Sequence, residues 1–164
     1  MVSAEGASAP TTEAVTDAEP GFDPERPVTI LCVARAVEKK GLDVLLDSLG
    51  HLPVGLNWRF EHIGGGPLAA DLAQRAERLG IAGRIRWCGP GTGDEVLAAL
   101  RRADLFCLAS RVARDGDRDG LPNVVMEAMA QELPVVATET AAIPEVVLPG
   151  ITGLLVPPER PDRL

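Results

Sequence analysis

The sequence predicts an α/β fold in which helices cover both faces of a doubly wound parallel sheet. From residue 28 onward, short apolar runs typical of buried strands alternate with segments of helical periodicity, the pattern of a parallel sheet with helical crossovers. Polar or glycine-rich segments follow the strands instead of interrupting them. Because ligands bind beyond the carboxyl ends of parallel strands, these segments indicate where a site would form.

The predicted elements follow one another in regular units. The first unit is a strand at residues 28–34 and a helix whose leucines have the i, i+3, i+4, i+7 spacing: Leu42, Leu45, Leu46 and Leu49. The later strands are predicted at residues 58–63, 84–88, 104–109, 133–138 and 153–156. The later helices are predicted at residues 68–79 and 94–102, around Glu127, and as a short turn or helix at 143–147.

Composition fits one compact globular domain. The 164 residues are 46% hydrophobic and 24% charged. No stretch approaches the roughly 18 to 20 apolar residues that cross a bilayer, and the N-terminus lacks a basic region followed by an apolar one, so we predict no transmembrane segment and a cytoplasmic location. Cys32, Cys88 and Cys107 lie in separate apolar runs, which predicts reduced core thiols and no structural metal.

Acidic side chains concentrate at the N-terminus. The formal net charge is −8, and residues 1–27 hold six acids against Arg26, which leaves −3 for the rest. This segment is rich in Ala, Thr, Pro and Glu and has no hydrophobic period, which predicts a disordered tail or linker. The folded domain is therefore predicted at residues 28–164, and its charge favours neither nucleic acid nor an anionic membrane as a partner.

Two carboxylates, Asp119 and Glu127, bracket the start of one predicted helix. Pro122 suits the first helical position, where its missing N–H costs nothing, so the helix is predicted to start within residues 121–123. The free N–H groups of its first turn would dock a phosphate or a sugar hydroxyl, and Gly120 would let a ligand approach the backbone. Carboxylate acceptors suit a ribose or hexose diol. The alternative is that Asp119 only caps the helix and Glu127 is a solvated helix residue.

A cationic pair follows the first predicted strand. Arg35 and Lys40 lie in a strand-to-helix loop, where the guanidinium fork and the ammonium could clamp a pyrophosphate. Each such contact contributes roughly 1.5 to 3 kcal/mol. The alternative is that Lys39 and Lys40 are ordinary solvated charges.

Other site classes find little support. Residues 64–69 match the dinucleotide fingerprint Gly-x-Gly-x-x-Gly/Ala, but residues 88–90 stand where a dehydrogenase places an acid, so a dinucleotide oxidoreductase is a third and weaker class. The sequence contains neither a phosphate-binding G-x-x-x-x-G-K-[ST] loop nor a G-x-S-x-G elbow. His51 and His62 lack the spacing of helical metal ligands, which favours packing or surface roles.

Seven short segments together carry a family resemblance. In chain order they are residues 35–41, 63–67, 103–110, 120–130, 133–138, 143–147 and 153–158. They resemble the C-terminal, nucleotide-sugar-binding half of a family 4 glycosyltransferase with the GT-B fold, whose halves are Rossmann-like. The resemblance covers about residues 28–164.

The resemblance implies roles for the residues singled out above. Arg35 and Lys40 would bind the donor diphosphate, and Glu127 would hold the ribose. Asp119 would approach the transferred sugar, so Asp119 and Glu127 are the predicted catalytic pair. The remaining predicted contacts are backbone groups that meet sugar or phosphate, from Gly120, Leu121, Pro122 and Asn123, and the cleft loop with Gly65 and Gly66.

The family reaction is transfer of a glycosyl group, with retention, from a nucleoside diphosphate sugar to an acceptor hydroxyl, and it needs no metal or other cofactor.

Two departures from the family pattern concern the sugar end of the site: Asp119 stands where glutamate is usual, and Ala141-Ala142 where a glycine pair is common. The acceptor-binding N-terminal half is absent, so the resemblance implies a hexosyltransferase that is inactive in isolation and needs a separate half, through which peripheral membrane contact would come. Cell-envelope polysaccharide is the implied product. A catalytically silent nucleotide-sugar-binding module is the alternative.

Overall fold

The sheet consists of six parallel strands. The computed structural model describes residues 25–164, so the predicted acidic tail lies outside the described residues except for its last three. The strands are β1 (Val28–Val33), β2 (Trp58–Ile63), β3 (Ile85–Trp87), β4 (Leu105–Leu108), β5 (Val135–Thr138) and β6 (Gly153–Val156). Their spatial order is β3-β2-β1-β4-β5-β6, and every neighbouring pair is parallel. This is the strand order of the Rossmann fold, so the predicted doubly wound architecture is confirmed.

Helices connect successive strands. They are α1 (Leu42–Gly50), α2 (Ala69–Arg78), α3 (Gly93–Arg102), α4 (Asn123–Ala130) and α5 (Ile143–Val146), with short 3-10 turns at Glu38–Lys40 and Ala82–Arg84. Among the described α-helices, only α3 begins with a side-chain cap. Thr92 Oγ1 accepts a hydrogen bond from the Glu95 N–H at 3.4 Å, and Glu95 Oε2 accepts one from the Thr92 N–H at 2.7 Å. Such a capping box satisfies two N–H groups that the helix leaves free.

The core lies on both faces of the central strands. Leu31, Phe106, Leu108 and Val135 are fully or almost fully buried, because α1 packs on β4 and α3 and α4 complete the cover around β1 and β5. Strands covered on both faces bury every side chain, which explains why their sequences are continuous apolar runs without alternation. Burying each side chain of this size contributes about 1.5 to 3 kcal/mol.

The three cysteines do not share one environment. Cys32 in β1 and Cys107 in β4 are buried, and desolvation raises the pKa of Cys107 to about 12 and that of Cys32 further still. Cys88 is exposed, so the prediction that it belongs to the core is wrong. The reason is its position: Cys88 follows β3, which is the outermost strand on its side of the sheet.

The two histidines take the packing and surface roles predicted for them. His51 is exposed just after α1, whereas His62 is buried in β2. The Nε2 of His62 lies 2.9 Å from the carbonyl oxygen of Ala34, at the end of β1, and its ring meets the ring of Trp87 edge-on at 5.4 Å. Burial lowers the pKa of His62. The neutral ring therefore donates to Ala34 and supports the backbone immediately before Arg35.

None of the helices within residues 25–164 combines the length and the apolar character that a membrane crossing requires.

Candidate functional site

The candidate site lies where the direction of strand order reverses. Strand β1 pairs with β2 on one side and with β4 on the other, so the connections leaving β1 and β4 run to opposite sides of the sheet. The carboxyl ends of these two strands therefore border a crevice, which is the usual binding place in open α/β sheets. Residues 34–41 after β1 and residues 109–122 after β4 form its two walls.

One ion pair joins the two walls. Lys40 Nζ donates a hydrogen bond to Asp119 Oδ2 at 2.6 Å, and both side chains are largely buried, with exposed fractions of 16% and 15%. Lys39 Nζ lies 3.6 Å from Asp119 Oδ1 and 3.1 Å from Asp117 Oδ2. The hydrogen bond to Asp117 raises the pKa of Lys39. Lys40 and Asp119, which were predicted to belong to one site, thus lie together. Their ion pair was not predicted, and the parts played by Lys39 and Asp117 were missed.

Arg111 also ties the walls together and was missed by the sequence analysis. Its backbone N–H donates to the carbonyl oxygen of Lys39 at 2.9 Å, and its Nε donates to that of Glu38 at 3.1 Å. Its Nη1 donates to Asp43 Oδ2 in α1 at 3.1 Å. The side chain of Arg111 is only 13% exposed. These contacts hold the 3-10 turn that carries both lysines against the loop that carries Asp119.

Gly41 makes the close approach of the walls possible. It has a φ of +58°, and a Cβ built on it would lie 1.9 Å from the carbonyl oxygen of Ala109, the first residue after β4. Any side chain here would therefore both strain the backbone and overlap another backbone group. The absence of a Cβ lets the residue after Lys40 pack directly on the end of β4.

The helix predicted to begin the site is α4, which starts at Asn123. Pro122 is the N-cap residue of α4, with φ −65° and ψ 120°, and not the first helical residue as predicted. The start at Asn123 lies within the predicted range of residues 121–123. No side chain caps α4, and Asp119 pairs with Lys40 instead, so the alternative that Asp119 is the cap is wrong. Its first N–H groups consequently have no side-chain acceptor within the described chain, and such groups favour an anion.

Arg35 and Glu127 present free charged groups. Both are exposed, and within residues 25–164 neither side chain makes a hydrogen bond or ion pair. Leu121 is half-buried and Gly120 is exposed with open space around it: a Cβ added there would meet no atom within 4 Å. The structure therefore leaves ligand-accessible groups at the start of α4 and after β1.

The glycine turn after β2 packs on the loop after β1. A Cβ on Gly64 would lie 1.9 Å from the Ala34 carbonyl oxygen, and one on Gly66 would lie 2.6 Å from that of Ala36. The Ala36 N–H donates to the Gly65 carbonyl at 2.8 Å. Contact with the neighbouring loop thus explains these glycines without a dinucleotide. A cavity of about 480 Å³ opens beside the turn, lined among others by Arg35, Ile63, Gly65, Gly66, Pro90 and Val96.

A third loop closes the crevice beside β5. The hydroxyl of Thr140 donates to the carbonyl oxygen of Ser110 at 2.9 Å, which joins the end of β5 to the end of β4. The Ser110 hydroxyl is buried and has no hydrogen-bond partner within the described residues. A slightly larger cavity, of about 510 Å³, lies near Pro134 and Gly153 at the opposite, amino-terminal edge of the strands. It contains none of the predicted site residues.

Metal-ligating side chains do not gather in this crevice: across residues 25–164, no group of three or more His, Cys, Asp or Glu side chains is placed to hold an ion.

The strand order, the glycine turn and the charged crevice at the reversal point define the class of domain as Rossmann-like, with its polar groups at the carboxyl edge of the sheet. Comparison with known families makes this specific. The family model described as glycosyl transferases group 1 matches residues 27–164, and the chain belongs to that family.

Individual relatives agree. The putative colanic acid biosynthesis glycosyltransferase WcaL of Salmonella typhimurium is 39% identical over 135 residues, which are 82% of this chain and 33% of WcaL. A GDP-mannose-dependent α-(1-6)-phosphatidylinositol monomannoside mannosyltransferase of Mycobacterium tuberculosis is 34% identical over 142 residues, covering 85% of this chain and 37% of the relative. The chain therefore spans about a third of the length of these relatives.

The fold also matches solved structures. The lipopolysaccharide outer core galactosyltransferase WaaB superposes with a TM-score of 0.74 at 23% identity, covering 84% of this chain and 38% of WaaB. The Anabaena protein HepE in complex with UDP superposes with a TM-score of 0.70 at 24% identity, covering 81% of this chain and 35% of HepE. The architecture is that of GT-B glycosyltransferases, as the resemblance implied.

Proposed function

We propose that residues 28–164 form the donor-binding domain of a retaining, family 4 glycosyltransferase that takes a nucleoside diphosphate sugar. One observation carries the proposal: Lys39 and Lys40 of the first loop contact Asp119, which lies shortly before the uncapped start of α4 on the other wall of the crevice. A crevice with cations, free N–H groups and acidic acceptors offers complementary partners to a diphosphate joined to sugar hydroxyls.

The diphosphate would meet three positive groups. Arg35 has an unoccupied guanidinium, Lys40 supplies an ammonium, and the first turn of α4 supplies N–H groups. These groups would stabilise the charge that develops on the departing diphosphate, usually the largest contribution to catalysis of this kind. The family resemblance implies that no metal ion takes part.

The two carboxylates would hold the sugars. Glu127, exposed and unpaired within the described chain, is assigned to the ribose, and Asp119 to the transferred sugar. Because aspartate is one methylene shorter than the usual glutamate, Asp119 reaches less far into the crevice. The backbone at Gly120 is open, since a Cβ added there would meet no atom within 4 Å, and it is therefore accessible to a ligand.

The relatives guide the choice of donor and product. HepE was solved with UDP, and the mycobacterial relative is named for GDP-mannose, so UDP and GDP are the nucleotides to test first. The name of WcaL refers to colanic acid biosynthesis, which supports a role in polysaccharide assembly. Acceptor contacts would come from a partner half outside residues 28–164, so the isolated domain is expected to bind donor without transferring it. In that state it behaves as a nucleotide-sugar-binding module.

Isothermal titration with UDP, GDP and ADP tests the proposal. We expect one base to be preferred and Glu127→Ala to weaken its binding by about tenfold, as removal of a charge-assisted hydrogen bond implies. The 2′-deoxy form of that nucleotide should bind Glu127→Ala almost as well as the parent nucleotide does, because the ribose contact is already gone. Glu77→Ala is the matched control, since Glu77 is also an exposed helical glutamate. Binding of none of the three nucleotides would refute a donor site.

A further inference from the structure

We propose that Asp119 makes the site prefer the sugar nucleotide over the bare nucleoside diphosphate. Its carboxylate is bound to Lys40, and a diphosphate has to displace it from there. This inference rests on the proposed function, because it takes Lys40 as a diphosphate ligand. It assigns Asp119 a second role, which is to lower affinity for the product that remains after the sugar has left.

The ion pair occupies the place that a phosphate needs. Asp119 Oδ2 lies 2.6 Å from Lys40 Nζ, and within residues 25–164 that ammonium has no other acceptor. With both side chains about one-sixth exposed, water screens the pair only partly. A diphosphate arriving at Lys40 brings its negative charge next to the carboxylate, and like charges at that distance repel. Tight binding of the diphosphate therefore requires the Asp119 carboxylate to turn away from Lys40.

The backbone around Asp119 permits this movement. Residues 118–121 lie outside any helix or strand, and within the described chain they make no backbone hydrogen bond. The same loop is firmly anchored on its amino-terminal side, where Arg111 holds Glu38 and Lys39 and the Ala113 N–H donates to the Asp117 carbonyl at 2.8 Å. The carboxylate can therefore swing while the wall that carries it stays in place.

The two ligands differ in the hydrogen-bond donors that they offer to the displaced carboxylate. With a sugar nucleotide bound, hydroxyl groups of the sugar donate hydrogen bonds to Asp119 and take the place of the Lys40 ammonium. The nucleoside diphosphate alone brings no such hydroxyl, so the carboxylate turns away from Lys40 without a new donor from the ligand. Lys39, 3.6 Å from Asp119 Oδ1, remains close in either case. Donor is consequently favoured over product, and after transfer the return of Asp119 to Lys40 promotes release of the diphosphate.

Titration of four ligands tests this role. UDP, UDP-glucose, GDP and GDP-mannose are titrated into the wild-type chain and into Asp119→Asn, which keeps the shape of the side chain but removes its charge. We expect Asp119→Asn to bind the preferred nucleoside diphosphate about tenfold more tightly, because a charge-assisted hydrogen bond no longer has to be exchanged. Binding of the corresponding sugar nucleotide should not tighten, so the preference for donor over product falls. Asp94→Asn, an exposed acid at the start of α3, controls for the change in net charge.

Lys40→Ala separates this inference from the proposed function. If Lys40→Ala weakens nucleotide binding while Asp119→Asn leaves it unchanged or weaker, the discriminating role is wrong and the donor site stands. If Lys40→Ala changes nothing, or the wild-type chain binds no nucleotide, the diphosphate assignment fails and this inference fails with it. Asp119→Ser provides a second neutral variant, and urea unfolding of each variant identifies any that do not fold.

Discussion

Replacement of Gly41 by alanine tests the close approach on which the crevice depends. Gly41 connects the 3-10 turn bearing Lys40 to the first residue of α1, and its φ is +58°. Its Cα faces the carbonyl group of Ala109, so an added methyl group would lie 1.9 Å from that oxygen. The overlap involves backbone on both sides, and no side-chain rotation relieves it.

The expected destabilisation has two parts. A left-handed backbone costs a non-glycine residue about 1 to 2 kcal/mol. Overpacking against a group that must shift adds about 1 to 3 kcal/mol. We therefore expect Gly41→Ala to lower the free energy of unfolding by about 2 to 5 kcal/mol. Displacement of the turn should also weaken nucleotide binding, because Lys40 moves with it.

Two other glycines separate the backbone cost from the overlap. Gly80 has a φ of +69° but open space around it, so Gly80→Ala measures the backbone cost alone. Gly55 has neither a positive φ nor a neighbour within 4 Å, so Gly55→Ala should change stability by less than about 0.5 kcal/mol. Urea unfolding followed by circular dichroism gives the three values. If Gly41→Ala costs no more than Gly80→Ala, the packing of Gly41 on Ala109 does not hold the walls together and the reasoning is refuted.

Three further predictions concern other parts of the molecule. A thiol reagent should modify one cysteine in the native chain, Cys88, and all three after unfolding, because Cys32 and Cys107 are buried; rapid native reaction of more than one would contradict the buried assignments. Stability should fall as the pH drops below about 6.5, because burial lowers the pKa of His62 and the unfolded chain then binds more protons; in His62→Gln this slope, measured by urea unfolding, should be shallower, whereas in His51→Gln it should not change. Arg111→Lys should weaken nucleotide binding about three- to tenfold, although Arg111 is assigned no contact with the ligand, because a single ammonium cannot replace the guanidinium fork that holds Glu38 and Asp43. Unchanged affinity in calorimetry would show that Arg111 does not position Lys40.

Much of the fold could be read from local patterns. Strand β2 and strand β6 begin and end as predicted, because their apolar runs are bounded by turn residues. Strand β5 begins two residues later than predicted, at Val135. The preceding Pro134 has no N–H to donate to a neighbouring strand, although its carbonyl still accepts from Phe106 at 2.9 Å. Errors of this size arise where strand pairing, and not hydrophobicity, decides the boundary.

The candidate site was only partly predictable. Arg35, Lys40 and Asp119 were predicted as site residues because each follows a strand or precedes a helix, positions that the carboxyl edge of a parallel sheet brings together. Arg111 also follows a strand, but its role was missed because it binds the carbonyl oxygens of Glu38 and Lys39, which any residue type provides. The exposure of Cys88 was likewise hidden, because an apolar run does not reveal whether its strand lies inside a sheet or at its edge.

The sequence by itself determined the α/β class, the succession of elements and the chemical types gathered at the strand ends, because hydrophobic period and turn residues act over a few neighbours. Its short motifs also indicated a glycosyltransferase domain. Only the tertiary structure decided that β1 lies between β2 and β4, and so that two loops about 80 residues apart face each other. The pairing of Lys40 with Asp119, the support from Arg111 and the packing of Gly41 on Ala109 all follow from that strand order. Contacts between distant segments depend on how whole elements pack, and no local pattern along the chain encodes them.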